Sequence, residues 1–298
     1  MDESPAVVRG PGGAEAVGAR ESGTICAVAG QAQREMREWA AAYPRLFGAE
    51  AFDPALYSTL ALAAAFSGPW YTAGQLRMAN KACLWCFALD WLVDYAATSR
   101  EEVADLARRC LAVADGGAPA EGDDLARFLA DIRDELSSAP SFPALREVWR
   151  DELSRMLEAM ALEWEWKTGD RPAFEEYLGN ADNLGFSFVF ASHWIFTTTA
   201  PPDDLEGVRA ASREAQRVIR LLNDLGTYER DVKWGDLNAL MLGVGRDEVD
   251  RRITELAAGF RELTGRLRGD DLRLARYMER QMDFCVGFYG VTDFWGAA

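Results

Sequence analysis

The sequence predicts an all-α fold, one domain of long helices around a central apolar cavity. Three observations carry this. From Gln31 onward, apolar residues recur at helical spacing almost throughout. No alternating run of useful strand length interrupts them, and no Gly-rich phosphate loop or internal repeat is visible. Helix breakers punctuate the pattern at Pro44, Pro54, Gly68-Pro69, Gly116-Gly117, Pro140, Pro143, Gly169, Pro201-Pro202 and Gly269.

Taken in order, residues 1–30 are rich in Gly, Ala, Pro and Ser without a period, which predicts a disordered tail before a helical domain at 31–298. Helix 31–43 stops at Pro44, and 54–66 opens on Pro54 and ends before Gly68-Pro69. A mostly apolar helix spans 70–97. Ser99-Arg100-Glu101-Glu102 is a capping-box signature for helix 100–114, which Gly116-Gly117 closes. Pro140 and Pro143 separate 122–138 from 143–168, and Gly169 precedes a helix at 171–200 that Pro201-Pro202 ends. Helices at 205–233, 236–242, 246–268 and 270–294 complete the chain, with Gly269 between the last two.

The 298 residues are 49% hydrophobic, enough for a sizeable core, and carry a net charge of −16. That charge excludes nucleic acid and disfavours an anionic membrane surface as partners. Five cysteines at irregular spacing fit a reducing cytoplasm rather than a disulfide framework. Cys83 and Cys86, inside an apolar run, read as packed thiols. No apolar run is long enough to span a membrane.

Two stretches carry chemistry. In Arg220–Asp231, read as helix, Asn223, Thr227 and Asp231 fall four residues apart and share a face. An amide oxygen, a hydroxyl and a carboxylate are hard ligands suited to Mg²⁺ bridged to phosphate. Arg220 and Arg230 stand beside them, with Lys233 close by. A solvated helix face would satisfy the same pattern. In Cys83–Tyr95, Asp90 and Asp94 are also one turn apart, among apolar residues. Two carboxylates buried together are costly unless a cation joins them. A divalent metal supplies that cation; Arg77 or Arg100 is the structural alternative.

Both stretches resemble the metal motifs of class I terpene synthases. The aspartate-rich motif Phe-x-x-Asp-Asp-x-x-Asp is matched by Phe87, Asp90 and Asp94, with Trp91 in place of the second Asp. The later motif is matched by Asn223, Thr227 and Asp231, the last standing where Glu is usual. Softer matches are Tyr177-Leu178-Gly179-Asn180-Ala181 and the terminal Phe288-Tyr289…Asp293-Phe294, both similar to bacterial diterpene synthases of the terpentetriene-synthase-like and kaurene-synthase-like kind.

The resemblance implies a class I terpenoid synthase helical bundle and a Mg²⁺-dependent enzyme holding up to three ions. It further implies that the enzyme ionises a C20 prenyl diphosphate, releases diphosphate and cyclises or rearranges the carbocation. Asp90, Asp94, Asn223, Thr227 and Asp231 would hold metal. Arg220, Arg230, Lys233, Asn180 and Asn183 would hold diphosphate. Phe66, Trp85, Phe87, Trp91, Phe186, Phe188, Trp194, Tyr289 and Trp295 are candidate cavity walls. A helix break at Gly179 or Gly185 belongs to the same pattern. The substrate is a bicyclic diphosphate supplied by a partner class II diterpene cyclase, or linear geranylgeranyl diphosphate. Farnesyl diphosphate, a non-catalytic terpenoid-binding protein and a homodimer stay open. His193, the only histidine, reads as a packing residue rather than a base.

Overall fold

A computed structural model describes residues 18–296. Its described secondary structure is helical: α1 (Ala19–Ala42), α2 (Pro54–Ser67), α3 (Ala73–Trp91), α4 (Arg100–Ala114), α5 (Asp124–Leu136), α6 (Phe142–Thr168), α7 (Phe174–Gly179), α8 (Phe186–Thr197), α9 (Leu205–Trp234), α10 (Arg246–Thr264) and α11 (Asp271–Tyr289). The boundary expected at residue 30 falls inside α1. Ile25 and Ala29 are buried there, so residues 19–30 belong to the helical body. The remainder of the expected tail, residues 1–17, lies outside the described residues.

Local chemistry sets the helix starts. Pro54 occupies the first turn of α2 and the Asp53 carboxylate accepts the Leu56 N–H at 2.8 Å. Thr72 and Gln75 form a reciprocal capping box on α3. At α4, Ser99 accepts the Glu102 N–H at 3.3 Å as predicted, but Glu102 reaches back to the Thr98 N–H at 2.7 Å, one residue earlier than a capping box requires.

Two departures shape the site. The single helix expected at 70–97 begins at Ala73, and after Trp91 its last turn widens into a π segment, Leu92–Ala96, closed by the Ala97 N–H donating to Leu92 O at 2.8 Å. Asp94 sits in this wider turn. The helix expected at 171–200 is broken into α7, a 3₁₀ turn at Ala181–Leu184, and α8. Gly185, at φ +75°, ends the turn in the left-handed region. A Cβ there would also lie 2.8 Å from Met156 Sδ and 3.2 Å from Cys86 Sγ. Gly185→Ala is therefore expected to cost at least ~1–2 kcal/mol from the backbone alone. Urea denaturation would check this, and an unchanged midpoint would show that the break tolerates an L side chain.

The core is one continuous cluster. α9 packs on α10 and α11, α2 on α1 and α11, α3 on α8, and α6 on α4 and α8. α2, α3, α6, α8, α9 and α11 leave a cavity between them. No helix among the described residues is long and apolar enough to cross a membrane.

Candidate active site

The cavity measures about 220 Å³. Asp90 and Asp94 from the end of α3, and Asn223, Arg230 and Asp231 from α9, all line it, with Asp236 just beyond α9. The early acidic stretch and the late amide-carboxylate stretch thus share one hollow. Leu60, Ala63, Ala64, Ala79, Val189 and Phe190 make its apolar part.

Asp90 is held in a demanding setting. Burial pushes its carboxyl up to about 6, and the nearby Asp236 adds to the shift. Arg230 pulls the other way, but it is already paired with Asp231 at 2.9 Å and with Asp293 at 3.2 Å. Asp94 is raised well above the carboxylate range by burial and then by Asp90. Lys167 approaches Asp94 at 3.6 Å and also pairs with Asp236, whose other oxygen accepts the Tyr95 hydroxyl at 2.9 Å. Neither Arg77 nor Arg100 serves the pair: they bind Glu135 and Glu165.

On α9 the Thr227 hydroxyl donates to Asp231 Oδ2 at 2.6 Å, and Asn238 Nδ2 donates to the same oxygen at 2.9 Å. Thr227 is buried beneath Asp231 and does not line the cavity. Tyr289 of α11 lines the cavity together with Asn223. α9 and α11 meet closely here, since a Cβ on Gly226 would lie 2.7 Å from Tyr289 O.

Of the expected diphosphate ligands, Arg220, Arg230 and Asn183 line the cavity, and Lys233 and Asn180 do not. Arg220 reaches the cavity wall but is enclosed in a buried network. It donates to Glu163 at 2.7 Å and to the Tyr177 hydroxyl at 2.6 and 2.8 Å, and that hydroxyl donates to Asp224 at 2.7 Å. Burial opposes its charge, yet Glu163, Tyr177 and Asp224 hold it firmly protonated. Lys233 is exposed and lies off the cavity, because residue 233 falls on the outer face of α9. Asn180 donates to Ala159 O at 2.8 Å and anchors the helix break instead of lining the cavity, whereas Asn183 lines it and bonds Glu163.

Of the aromatic candidates, Phe87, Phe186, Tyr289 and Trp295 line the cavity. Trp85, Phe188 and Trp194 are wholly buried in the core, with the Trp85 indole donating to Leu125 O at 3.0 Å. Phe66 packs on Phe284, and Trp91 packs on Tyr95 and Trp295. Cys83 and Cys86 pack against the core, as expected, and also line the cavity. Burial pushes Cys83 up to about 12 and holds Cys86 well above the usual thiol range, so both stay thiols. His193 is buried between Tyr71 and Tyr277, and burial lowers it to about 3.

From the sequence, Glu163, Lys167 and Asp236 receive no site role, and Tyr177 enters only as part of a family match. The signal for Glu163 was the i, i+4, i+7 stripe of Met156, Met160 and Glu163, all of which line the cavity from α6. Asp236 opens a helix expected at 236–242, but it lies in the loop between Gly235, which ends α9 at φ +78°, and a 3₁₀ turn at Ala239–Met241.

The donors present fit a hard divalent cation. Asp90 is a cavity-facing carboxylate lacking a free countercharge, and Asn223 and Asp231 face it with further oxygens. Among the described residues no three His, Cys, Asp or Glu side chains form a ready-made metal cluster. That suits Mg²⁺, which keeps waters and takes one or two carboxylates together with substrate phosphates.

Comparison with known proteins decides the family. Residues 81–248, which contain both acidic stretches, match the model of terpene synthase family 2, C-terminal metal binding. The chain belongs to terpene synthase family 2. It is 29% identical over 276 residues to ent-pimara-9(11),15-diene synthase of Streptomyces sp. (strain KO-3988), covering 88% of this chain and 91% of that one. Its fold is shared with linalool/nerolidol synthase of Streptomyces clavuligerus in complex with 2-fluorogeranyl diphosphate, at TM-score 0.69, 19% identity, and 87% and 96% coverage of the two chains. It is shared also with 2-methylisoborneol synthase of Streptomyces coelicolor A3(2) in complex with Mg²⁺ and geranyl-S-thiolodiphosphate, at TM-score 0.72, 16% identity, and 91% and 93% coverage. This terpene synthase is therefore a class I lyase that binds a prenyl diphosphate and depends on a divalent metal.

Proposed function

We propose that this enzyme is a Mg²⁺-dependent diterpene synthase, acting on a bicyclic or linear C20 diphosphate. One observation carries the reading: Asp90 and Asn223, from helices distant in sequence, line the same apolar cavity. The relative with which it shares 29% identity is a pimaradiene synthase, which favours a C20 skeleton over C15. A synthase of the same fold is known with Mg²⁺ and a geranyl thiolodiphosphate, which favours magnesium as the metal.

Asp90, with Asp94 in support, and Asn223 and Asp231 opposite would hold Mg²⁺, with Thr227 fixing Asp231 from beneath. Bound there, the metal supplies Lewis-acid stabilisation of the charge that gathers on the leaving diphosphate. Arg230 stands at the same end and would share its bonds between Asp231, Asp293 and diphosphate oxygens. The apolar wall excludes water from the cation left behind, and Phe87, Phe186, Tyr289 and Trp295 offer π faces, worth ~2 kcal/mol or more when dry.

The test is incubation with Mg²⁺ and a panel of C15 and C20 diphosphates, linear and bicyclic, with product identification and diphosphate assay. Turnover of a C20 substrate, abolished by chelator and restored by Mg²⁺, is expected. Turnover confined to farnesyl diphosphate would favour the sesquiterpene reading. Binding without diphosphate release would favour a non-catalytic terpenoid-binding protein.

A further inference from the structure

Lys167 stands in the last turn of α6, where the free carbonyls of a helix end favour a cation. Its side chain does not turn to water. It is largely buried and meets two carboxylates from separate parts of the chain, Asp94 in the π segment and Asp236 in the turn behind α9. Nζ lies 3.6 Å from Asp94 Oδ1 and 3.4 Å from the Asp94 main-chain oxygen. Asp236 is held on both sides, Oδ1 by Lys167 and Oδ2 by the Tyr95 hydroxyl at 2.9 Å. The Tyr95 ring centroid is 5.7 Å from the same ammonium, and Trp234 packs edge-on against that ring.

Asp94, Tyr95 and Asp236 line the cavity, whereas Lys167 does not. The ammonium thus stands behind the wall that the two carboxylates help to make. Asp90 brings a third carboxylate to this end, and Arg230 is already paired with Asp231 and Asp293. Lys167 therefore sets how much negative charge is left for a metal ion. Two effects of the lysine oppose each other. It holds Asp94 in place, and its fixed positive charge repels a divalent cation nearby. The first is small, because the π segment holds Asp94 by its own backbone bond, Ala97 N–H to Leu92 O at 2.8 Å. The second is large, because a divalent ion feels twice the repulsion of a single charge at the same distance, in a place with little water to screen it.

We infer that Lys167 is a positioning residue that acts through Asp94: it keeps the metal affinity of the empty site low, so that Mg²⁺ settles there only together with diphosphate. The inference rests on the metal-dependent reading of the site and deepens it. Without diphosphate, a cation meets carboxylates that a lysine already partly neutralises. Diphosphate brings negative charge of its own and outweighs that lysine. The empty acidic cavity is thereby kept from filling with cation before substrate enters.

The experiment titrates the full chain with Mn²⁺, followed by electron paramagnetic resonance, with and without inorganic diphosphate. It compares wild type, Lys167→Met, Lys167→Arg and Arg100→Gln. Without diphosphate, Lys167→Met is expected to bind Mn²⁺ about tenfold or more tightly than wild type, and Lys167→Arg within about threefold of wild type. Arg100 pairs with Glu165 at 2.7 Å, two residues from Lys167, but its side chain is 72% exposed. Its loss should move Mn²⁺ affinity by no more than about twofold, since water and salt screen it. Melting curves give a second readout: Lys167→Met should melt below wild type without metal and gain more from Mg²⁺ alone. Equal or weaker Mn²⁺ binding in Lys167→Met, or an equal gain in Arg100→Gln, would overturn the inference. If Lys167→Met does not fold, Lys167→Gln, neutral but still able to bond Asp236, is judged by the same criteria. If wild type binds no Mn²⁺ even with diphosphate, the metal reading of the site fails and this inference falls with it. If it does bind, and Lys167→Met gains nothing, only this inference fails.

Discussion

Asp90→Asn is expected to lower diphosphate release by about 10³-fold or more while leaving the fold intact. The change keeps shape and removes one negative charge. In the metal-free protein that charge is a burden, because burial and Asp236 already push Asp90 up to about 6. The variant should therefore melt at the same temperature as the parent or slightly higher without metal. With Mg²⁺ and inorganic diphosphate the order should reverse. The parent gains stability by binding a ligand to the native state, and the variant gains little. Asp94→Asn should cost less activity, because Lys167 already stands 3.6 Å from Asp94. Differential scanning fluorimetry with and without Mg²⁺-diphosphate, beside a release assay, checks all of this. An Asp90→Asn enzyme retaining a tenth or more of its activity would remove Asp90 from the metal assignment.

The contrast between Asp90 and Asp94 shows how far sequence reaches. Both carboxylates were legible as a buried pair one turn apart, because helical periodicity and apolar neighbours are local facts. Their different surroundings were not. Lys167 comes from α6 and Asp236 from the turn behind α9, and only tertiary packing brings them to Asp94. The same limit explains the aromatic wall. Phe87 lines the cavity and Trp85 is in the core, although both lie in one apolar run. Choosing between them needs the direction of α3 relative to α8 and α5, which apolar neighbours on every side of the helix conceal. Gly185 is an intermediate case. The residues alone predict one helix over 171–200, the family resemblance adds a break at Gly179 or Gly185, and the left-handed φ of Gly185 supplies its reason. The tail was misread because small residues such as Ala and Gly blur the helical period, yet the buried Ile25 and Ala29 seat that part of α1.

Arg220→Met is expected to destabilise the enzyme by ~3–5 kcal/mol, the cost of breaking a buried ion pair from one side. The sequence places Arg220 beside the metal motif as a diphosphate ligand; it lines the cavity, and its bonds also make it a structural keystone. Its guanidinium lies 4.5 Å from the Tyr177 ring centroid and is shared between Glu163 and the Tyr177 hydroxyl. Removing it leaves Glu163 and Asp224 facing each other across the base of the helix break, with Asp224 already pushed up to about 7 by burial. Because Asn183 also bonds Glu163, the break should loosen and the cavity wall with it. Adding Glu163→Gln to Arg220→Met should recover part of the loss, with a coupling of ~0.5–3 kcal/mol, since it removes one of the stranded charges. Urea denaturation of the two single variants and the double variant measures that coupling. Should Arg220→Met instead unfold at the parental midpoint while diphosphate release collapses, the guanidinium would be free for substrate, and the network would be a resting arrangement that ligand displaces.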